Sequence, residues 1–267
     1  MLSPVPADAR REALAGLRAA LAAGHRDASP EAFTPAEESI VRSGFPEFDA
    51  ALGGGFPRGI LATLEGAPGS GRSAVAARLL AAATAGGGLA GLIELPAGPE
   101  GRFYPPALAA AGVDLERLLV VPAESASGIA RAADILLRAG TFGVVVIPAL
   151  ALSATAWTRL AGLTHRTNAL LAILGDASHE LCYFASLRVR FAPLRTRWAG
   201  AAGLFNALAE TDFEATVLKH KRAAPGKRAE LACATFEAEG APLGTLHEHI
   251  LTQSSLRRTP APGRLAL

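Results

Sequence analysis

The chain has 267 residues, half of them hydrophobic, which is enough for a large buried core and fits one domain with tails. Its 26 Lys and Arg against 24 Asp and Glu give a net charge of +2, too small by itself to indicate a nucleic-acid-binding protein. Cys182 and Cys233 lie far apart and form no C-x-x-C motif, which argues against a disulfide framework or a cysteine zinc site and predicts a cytoplasmic protein. Because no apolar run approaches the ~20 residues that span a bilayer, we expect no membrane contact.

The first predicted unit is residues 1–38. Leu14, Leu17 and Leu21 form a narrow apolar stripe on an amphipathic helix over residues 8–23. The following segment contains Pro30 and Pro35 without periodicity, which is typical of a linker. We therefore expect an N-terminal helix joined to the main domain by a linker.

Short apolar runs then alternate with helical stretches. The predicted strands are residues 60–65, 91–95, 118–121, 144–147 and 170–174, and the predicted helices between them are residues 73–84, 105–111, 129–138 and 156–166. This alternation predicts an α/β fold with a mostly parallel sheet and helices on both faces. The domain is expected to span residues 39–253.

Beyond residue 185 the pattern changes to extended segments. Residues 186–191, 214–221, 229–237 and 246–252 are predicted as strands, which indicates an antiparallel extension of the same sheet. Residues 254–267 contain three arginines and two prolines and are predicted to be a flexible C-terminal tail.

The most informative motif is GAPGSGRS, residues 66–73, which matches the phosphate-binding loop G-x-x-x-x-G-K-[ST] at every defined position except one. In such loops, backbone N–H groups and a lysine ammonium surround phosphates, and the hydroxyl holds Mg²⁺. Arg72 replaces the lysine, and its planar guanidinium cannot occupy the compact position of an ammonium. We expect a degenerate, vestigial site built from Gly66, Gly69, Gly71, Arg72 and Ser73, with no cofactor required and ATP binding doubtful.

Several segments resemble the RecA family in the same order along the chain. SGFPEFDAALGGGFPRG at residues 43–59 leads directly into the strand before the loop, and later segments are AGVDLERLL at 111–119, FASLRVR at 184–190 and VLKHKRAAPGKRAE at 217–230. The resemblance covers roughly residues 40–237 and implies a RecA-like domain.

The chain departs from that family where ATP hydrolysis needs carboxylates. The resemblance implies an acidic residue for Mg²⁺ after the strand at residues 144–147, where Pro148 stands. The family's catalytic glutamate corresponds to Pro96, although Glu94 and Glu100 lie nearby as a displaced alternative. With the lysine also replaced, no catalytic residue is predicted.

The DNA-binding loops of the family are also reduced. Only residues 175–180 follow the strand at residues 170–174, where RecA has a long loop, and residues 149–155 are short and not basic. The resemblance matches Lys219 and Lys221 to lysines that reach the nucleotide of a neighbouring subunit. These lysines are therefore candidates for cross-subunit contacts, with a solvent-exposed pair as the alternative.

Two further patterns have structural and functional interpretations. Arg188 and Arg190 alternate with apolar residues and precede Arg195, Arg197 and Trp198, which fits either a solvated strand face or a grip on single-stranded nucleic acid. His247 and His249 lack further ligands at metal spacing, so no metal site is predicted.

Among RecA relatives, the ImuA group resembles this chain in length and layout. That resemblance implies an ATPase-deficient accessory protein of the SOS response, associated with the nucleoid of a bacterium during DNA damage. Its expected partner in translesion synthesis is an ImuB-like polymerase-related protein, with RecA contact and self-association open and DNA contact weak or indirect. The alternatives are an active DNA-dependent ATPase or recombination mediator, and a regulator that binds RecA filaments.

Overall fold

A central sheet of eight strands organises the computed structural model, which describes residues 40–98, 101–199 and 207–234. The predicted unit at residues 1–38, the strand at 246–252 and the tail at 254–267 lie outside these residues. The strands are β1 (Ile40–Val41), β2 (Phe56–Pro57), β3 (Ile60–Glu65), β4 (Leu89–Glu94), β5 (Leu118–Pro122), β6 (Phe142–Pro148), β7 (Leu170–Leu174), β8 (Leu187–Ala199), β9 (Ala207–His220) and β10 (Arg228–Ala234). The helices are α1 (Pro46–Leu52), α2 (Arg72–Ala85), α3 (Pro105–Ala110), α4 (Ala126–Ala139), α5 (Ala154–Thr167) and α6 (His179–Phe184).

The strand order in the main sheet is β10-β9-β8-β3-β7-β6-β4-β5. All pairs from β8 to β5 are parallel, whereas β9 pairs antiparallel with both β8 and β10. The predicted parallel sheet with an antiparallel extension is therefore confirmed. β1 and β2 form a separate antiparallel pair.

The central strands are apolar because both faces of the sheet are covered. Every residue of β7 is buried, as are Val144, Val145, Val146 and Ile147 of β6. One apolar layer includes residues of α1 and α2, and the other includes residues of α4, α5 and α6, with Trp157 fully buried in the second.

Local signals set the ends of the helices. Ser125 and Ser153 accept hydrogen bonds from backbone N–H groups in the first turns of α4 and α5, at 3.1 and 3.3 Å. Gly140 and Asn168 end these helices in the left-handed conformation, with φ of 70° and 52°. Because these caps lie outside the apolar stripe, the helices extend beyond the predicted ranges.

Two helices lie where the sequence pattern indicated none. α1 begins with Pro46, and α6 is capped by the Ser178 hydroxyl, which accepts from the Leu181 N–H at 3.2 Å. Both helices are short, so neither contains two full turns of apolar repeat. β8 and β9 are also longer than predicted, because cross-strand pairing continues to Ala199 and Ala207 beyond the apolar alternation.

Candidate functional site

The phosphate-loop motif lies at the carboxyl edge of the sheet, between β3 and α2, where ligand-binding loops of α/β folds gather. Gly66 has φ of 134°, and a Cβ there would lie 2.4 Å from the Phe191 carbonyl oxygen. Gly71 has φ of 90° and precedes the first turn of α2 with no side-chain cap. The backbone thus keeps the glycine-dependent turn and a helix N-terminus without a side-chain cap, the two features that receive phosphate in such loops.

The side chains on this loop differ in how far they are buried. Arg72 is buried, with 5% of its surface exposed, whereas Ser73 is exposed. Ser70 is also buried, and its hydroxyl finds no hydrogen-bond partner among the described residues. The cation of residue 72 is therefore folded into the protein.

An aromatic ring from the antiparallel extension packs directly on the loop. A Cβ at Gly71 would meet three ring atoms of Phe213 at 2.5 to 2.9 Å, so the ring is in contact with the Gly71 backbone. Phe213 belongs to β9 and is buried. The sequence reasoning did not identify this residue, because it is distant in sequence and only the pairing of β9 with β8 brings it to the loop.

The positions where the family pattern needs carboxylates are filled differently. Pro148 is buried at the end of β6, in register with Leu174 of β7. Pro96 follows β4 in a turn. Glu94 is buried, and its Oε1 accepts the Phe103 N–H at 2.7 Å, so this carboxylate holds the segment after β4.

The space between these residues is small. A cavity lined by Glu94, Phe103, Pro148 and Leu174 measures about 10 Å³, at the lower limit for a single water molecule. Glu100, the other displaced candidate, lies outside the described residues. The cavity beside Glu94 therefore has room for one water molecule at most.

Two carboxylates near the loop were missed by the sequence reasoning. Asp176, after β7, is exposed, and its Oδ1 accepts the Gly66 N–H at 3.3 Å. Glu65 ends β3 directly before the loop and is 1% exposed. A glutamate inside an apolar strand beside an alternating arginine pair was the available signal for an ion pair.

Glu65 determines what Arg188 and Arg190 do. Arg188 donates from Nε and Nη2 to the two Glu65 oxygens at 2.7 and 3.1 Å, and this hydrogen-bonded pairing raises the pKa of Arg188. Arg190 lies 3.6 Å from the same carboxylate and is more exposed. The interpretation of both arginines as a solvated strand face is therefore wrong for Arg188, because its guanidinium neutralises a buried carboxylate.

The arginine pattern that begins at Arg188 also includes Arg195, Arg197 and Trp198. Arg195 is exposed and pairs with Asp212 and Glu230 at 3.3 and 3.4 Å. The side chains of Arg197 and Trp198 lie outside the described part of the chain.

Lys219 and Lys221 lie at the opposite edge of the sheet from the phosphate loop. Lys219 pairs with Arg188 across β8 and β9, and its Nζ donates to the carbonyls of Cys182 and Tyr183 at 2.8 and 3.0 Å. Burial lowers the pKa of Lys219, and the charge of Lys221 lowers it further. Lys221 is exposed, and its N–H donates to the Ser186 carbonyl at 2.9 Å. The structure therefore does not bring these lysines to the loop of their own chain.

The described ranges contain neither a cluster of metal-ligand side chains nor a membrane-spanning helix. No group of three or more His, Cys, Asp or Glu residues is placed to hold a metal ion within residues 40–98, 101–199 and 207–234. His247 and His249 fall beyond them. Among those same residues, no helix has the length and apolarity needed to cross a membrane.

Comparison with known proteins finds relatives of the core of this chain. Residues 50–179, just under half of the chain, match the family model described as the MT3502 N-terminal domain. The RecA protein of Picosynechococcus sp. is 34% identical over 113 residues, which is 42% of this chain and 31% of the relative. That of Corynebacterium urealyticum is 37% identical over 114 residues, or 42% of this chain and 30% of the relative. This chain has a RecA-like core.

A solved structure shares the fold over a wider range of the chain. The crystal structure of the RadB recombinase superposes with a TM-score of 0.55 at 17% identity, covering 72% of this chain and 94% of that one. The matched segments span less than a third of the RecA relatives, so the homology concerns the core. The predicted RecA resemblance is confirmed for this core.

Proposed function

We propose that this RecA-like protein has lost ATP hydrolysis and acts as an ImuA-like protein-binding partner in translesion synthesis, with an ImuB-like polymerase-related protein. The observation that carries the proposal is the packing of Phe213 on the phosphate loop. Phe213 rests on Gly71, the Arg72 side chain is buried, and Pro148 ends β6 without a carboxylate. These features support the proposal because phosphoryl transfer depends on positioned charges, and neither the lysine of the motif nor a carboxylate at position 148 is present.

The proposal makes the loop an architectural element. The glycine turn still joins β3 to α2, while Glu94 holds the segment after β4 through the Phe103 N–H. No cofactor is needed for this use of the loop. The protein would then act through its surfaces, at the nucleoid during DNA damage, with DNA contact weak or indirect.

The second candidate function is an active DNA-dependent ATPase or recombination mediator. It is favoured by the RecA relatives and by Asp176, whose exposed carboxylate accepts the Gly66 N–H of the loop at 3.3 Å. In that function Asp176 would substitute for the carboxylate missing at Pro148. Arg72 would then contact phosphate directly.

ATP turnover by the purified full chain, with and without single-stranded DNA, separates the two functions. We expect no turnover above background for the wild-type protein. We also expect none for Arg72→Lys, since restoring the ammonium leaves Pro148 unchanged. Turnover that Arg72→Ala abolishes, and that the exposed control Arg166→Ala retains, would refute the proposal.

The choice of partner needs its own experiment. Tagged protein from DNA-damaged cells should recover an ImuB-like protein under conditions where RecA is present in the same lysate. A chain lacking residues 1–38 tests the third possibility, a regulator that binds RecA filaments through its N-terminal segment. Recovery of RecA alone, lost in the truncated chain, would favour that regulator and contradict the translesion role.

A further inference from the structure

A cleft of about 300 Å³ lies at the amino end of β3, on the sheet edge opposite the phosphate loop. Its lining combines the apolar residues Ile60, Ala161 and Phe184 with the basic residues His165, Lys221 and Arg222. Among the described residues, none that lines it is Asp or Glu. The volume is at the lower end of the range typical of ligand pockets and suits a single large side chain.

The electrostatic surroundings of the cleft are positive. Lys221 is exposed on the β9–β10 turn, and Lys227 is exposed on the same turn. Burial lowers the pKa of His220, and the charges of Lys227 and Arg222 lower it further. This edge therefore attracts negatively charged groups.

An exposed aromatic side chain adjoins the cleft. The ring of Tyr183 is edge-to-face with that of Phe184, with centroids 5.2 Å apart, and Tyr183 is 75% exposed. Exposed tyrosine beside a partly apolar recess is characteristic of protein interface anchors.

We propose that this cleft docks an acidic peptide segment of a protein partner, with one apolar side chain among Ile60, Ala161 and Phe184 and carboxylates beside Lys221. The proposal rests on the protein-binding role proposed above and gives that role a surface. The apolar walls of the recess favour a peptide over a single-stranded nucleic acid, because a nucleic acid is bound along a continuous positively charged groove. Docking here leaves the phosphate loop, on the opposite sheet edge, uncovered.

Fluorescence anisotropy with the full purified chain tests this surface. The probe is a short labelled peptide with one phenylalanine flanked by glutamates. Lys221→Glu should weaken its binding about tenfold or more, since like charges then face each other. Arg131→Glu, on α4, is the control, because it makes the same charge change at an exposed residue that does not line the cleft, and it should change binding less than about threefold. Ala161→Phe should also weaken binding about tenfold by filling the recess without changing charge.

Circular dichroism of each variant establishes that it is folded before binding is interpreted. Equal effects of Lys221→Glu and Arg131→Glu would overturn the proposal, as would equal binding of a peptide with glutamines in place of the glutamates. Tighter binding of an oligothymidylate that displaces the peptide would assign the cleft to nucleic acid instead. If the peptide does not bind at the cleft and the protein shows no ATP turnover, the proposed protein-binding function remains and its partner must bind another surface. ATP turnover that depends on Arg72 would refute the proposed function itself.

Discussion

The buried ion pair between Glu65 and Arg188 makes a quantitative prediction about stability. The Glu65 side chain is 1% exposed, whereas the Arg188 side chain is 20% exposed. If Arg188 is replaced by Met, the carboxylate stays in the protein interior with the Thr63 hydroxyl at 2.8 Å and Arg190 at 3.6 Å. Removing one partner of a buried pair costs about 3–5 kcal/mol, and we expect Arg188→Met to fall in that range.

Replacing the other partner of the ion pair should destabilise the protein less. Glu65→Gln keeps one oxygen that can accept from Arg188, and the guanidinium is exposed enough to recruit water. We therefore expect a loss of about 1–3 kcal/mol in the free energy of unfolding, the usual cost of a weakened charged hydrogen bond. The combined change Glu65→Leu with Arg188→Met removes both charges and should be less destabilising than Arg188→Met alone.

Urea unfolding followed by circular dichroism measures these free energies, with the slope compared among variants to check that they unfold alike. Arg228→Met is the control, because Arg228 pairs with Glu214 at 3.7 Å and both side chains reach solvent, 69% and 34% exposed, so it should cost less than about 1 kcal/mol. A cost for Arg188→Met no larger than that for Arg228→Met, or a larger cost for Glu65→Gln, would refute the reasoning.

Three further predictions concern packing, pH and hydrogen bonding. Gly71→Ala should lower the free energy of unfolding in urea more than Gly69→Ala does, because both glycines have positive φ but only Gly71 contacts Phe213. Adding Phe213→Ala to Gly71→Ala should recover part of this difference. Hydrogen bonding to arginine holds the pKa of Asp134 below its ordinary 3.8, so its stabilising contribution is present above that pH and is lost as pH falls through the folded-state pKa. Asp134→Asn should accordingly flatten the acid limb of the unfolding curve, and an unchanged acid limb would contradict this. Trp157→Phe should cost far less than the about 3–5 kcal/mol expected for Trp157→Ala, since its buried N–H has no acceptor among the described residues.

Much of the fold could be predicted from the chain because burial on two faces leaves a simple signature. β6 and β7 are nearly continuous apolar runs, and their strand assignment and parallel setting follow from that composition. The short helices α1 and α6 could not be predicted in this way, since a single turn or two contains too few apolar positions for a period to be recognised.

The candidate site could likewise be predicted only in part from the sequence. The motif at residues 66–73 located the phosphate loop, and the sequence alone shows that Arg72 stands where the motif has lysine and Pro148 where the RecA resemblance implies a carboxylate. The alternation around Arg188 was ambiguous, because a strand pattern shows which face a side chain occupies but not what lies opposite it.

The sequence by itself determined the parallel core, the glycine turn of the phosphate loop and the substitutions within it, since each depends on residues close together in the chain. Only the tertiary structure decided that Phe213 covers Gly71, that Glu65 neutralises Arg188 and that Lys221 borders a cleft far from the loop. These contacts join residues that are distant in sequence and meet only through the pairing of β3, β8 and β9. Local composition records no such pairing, because the register between strands is set by the packing of the whole sheet.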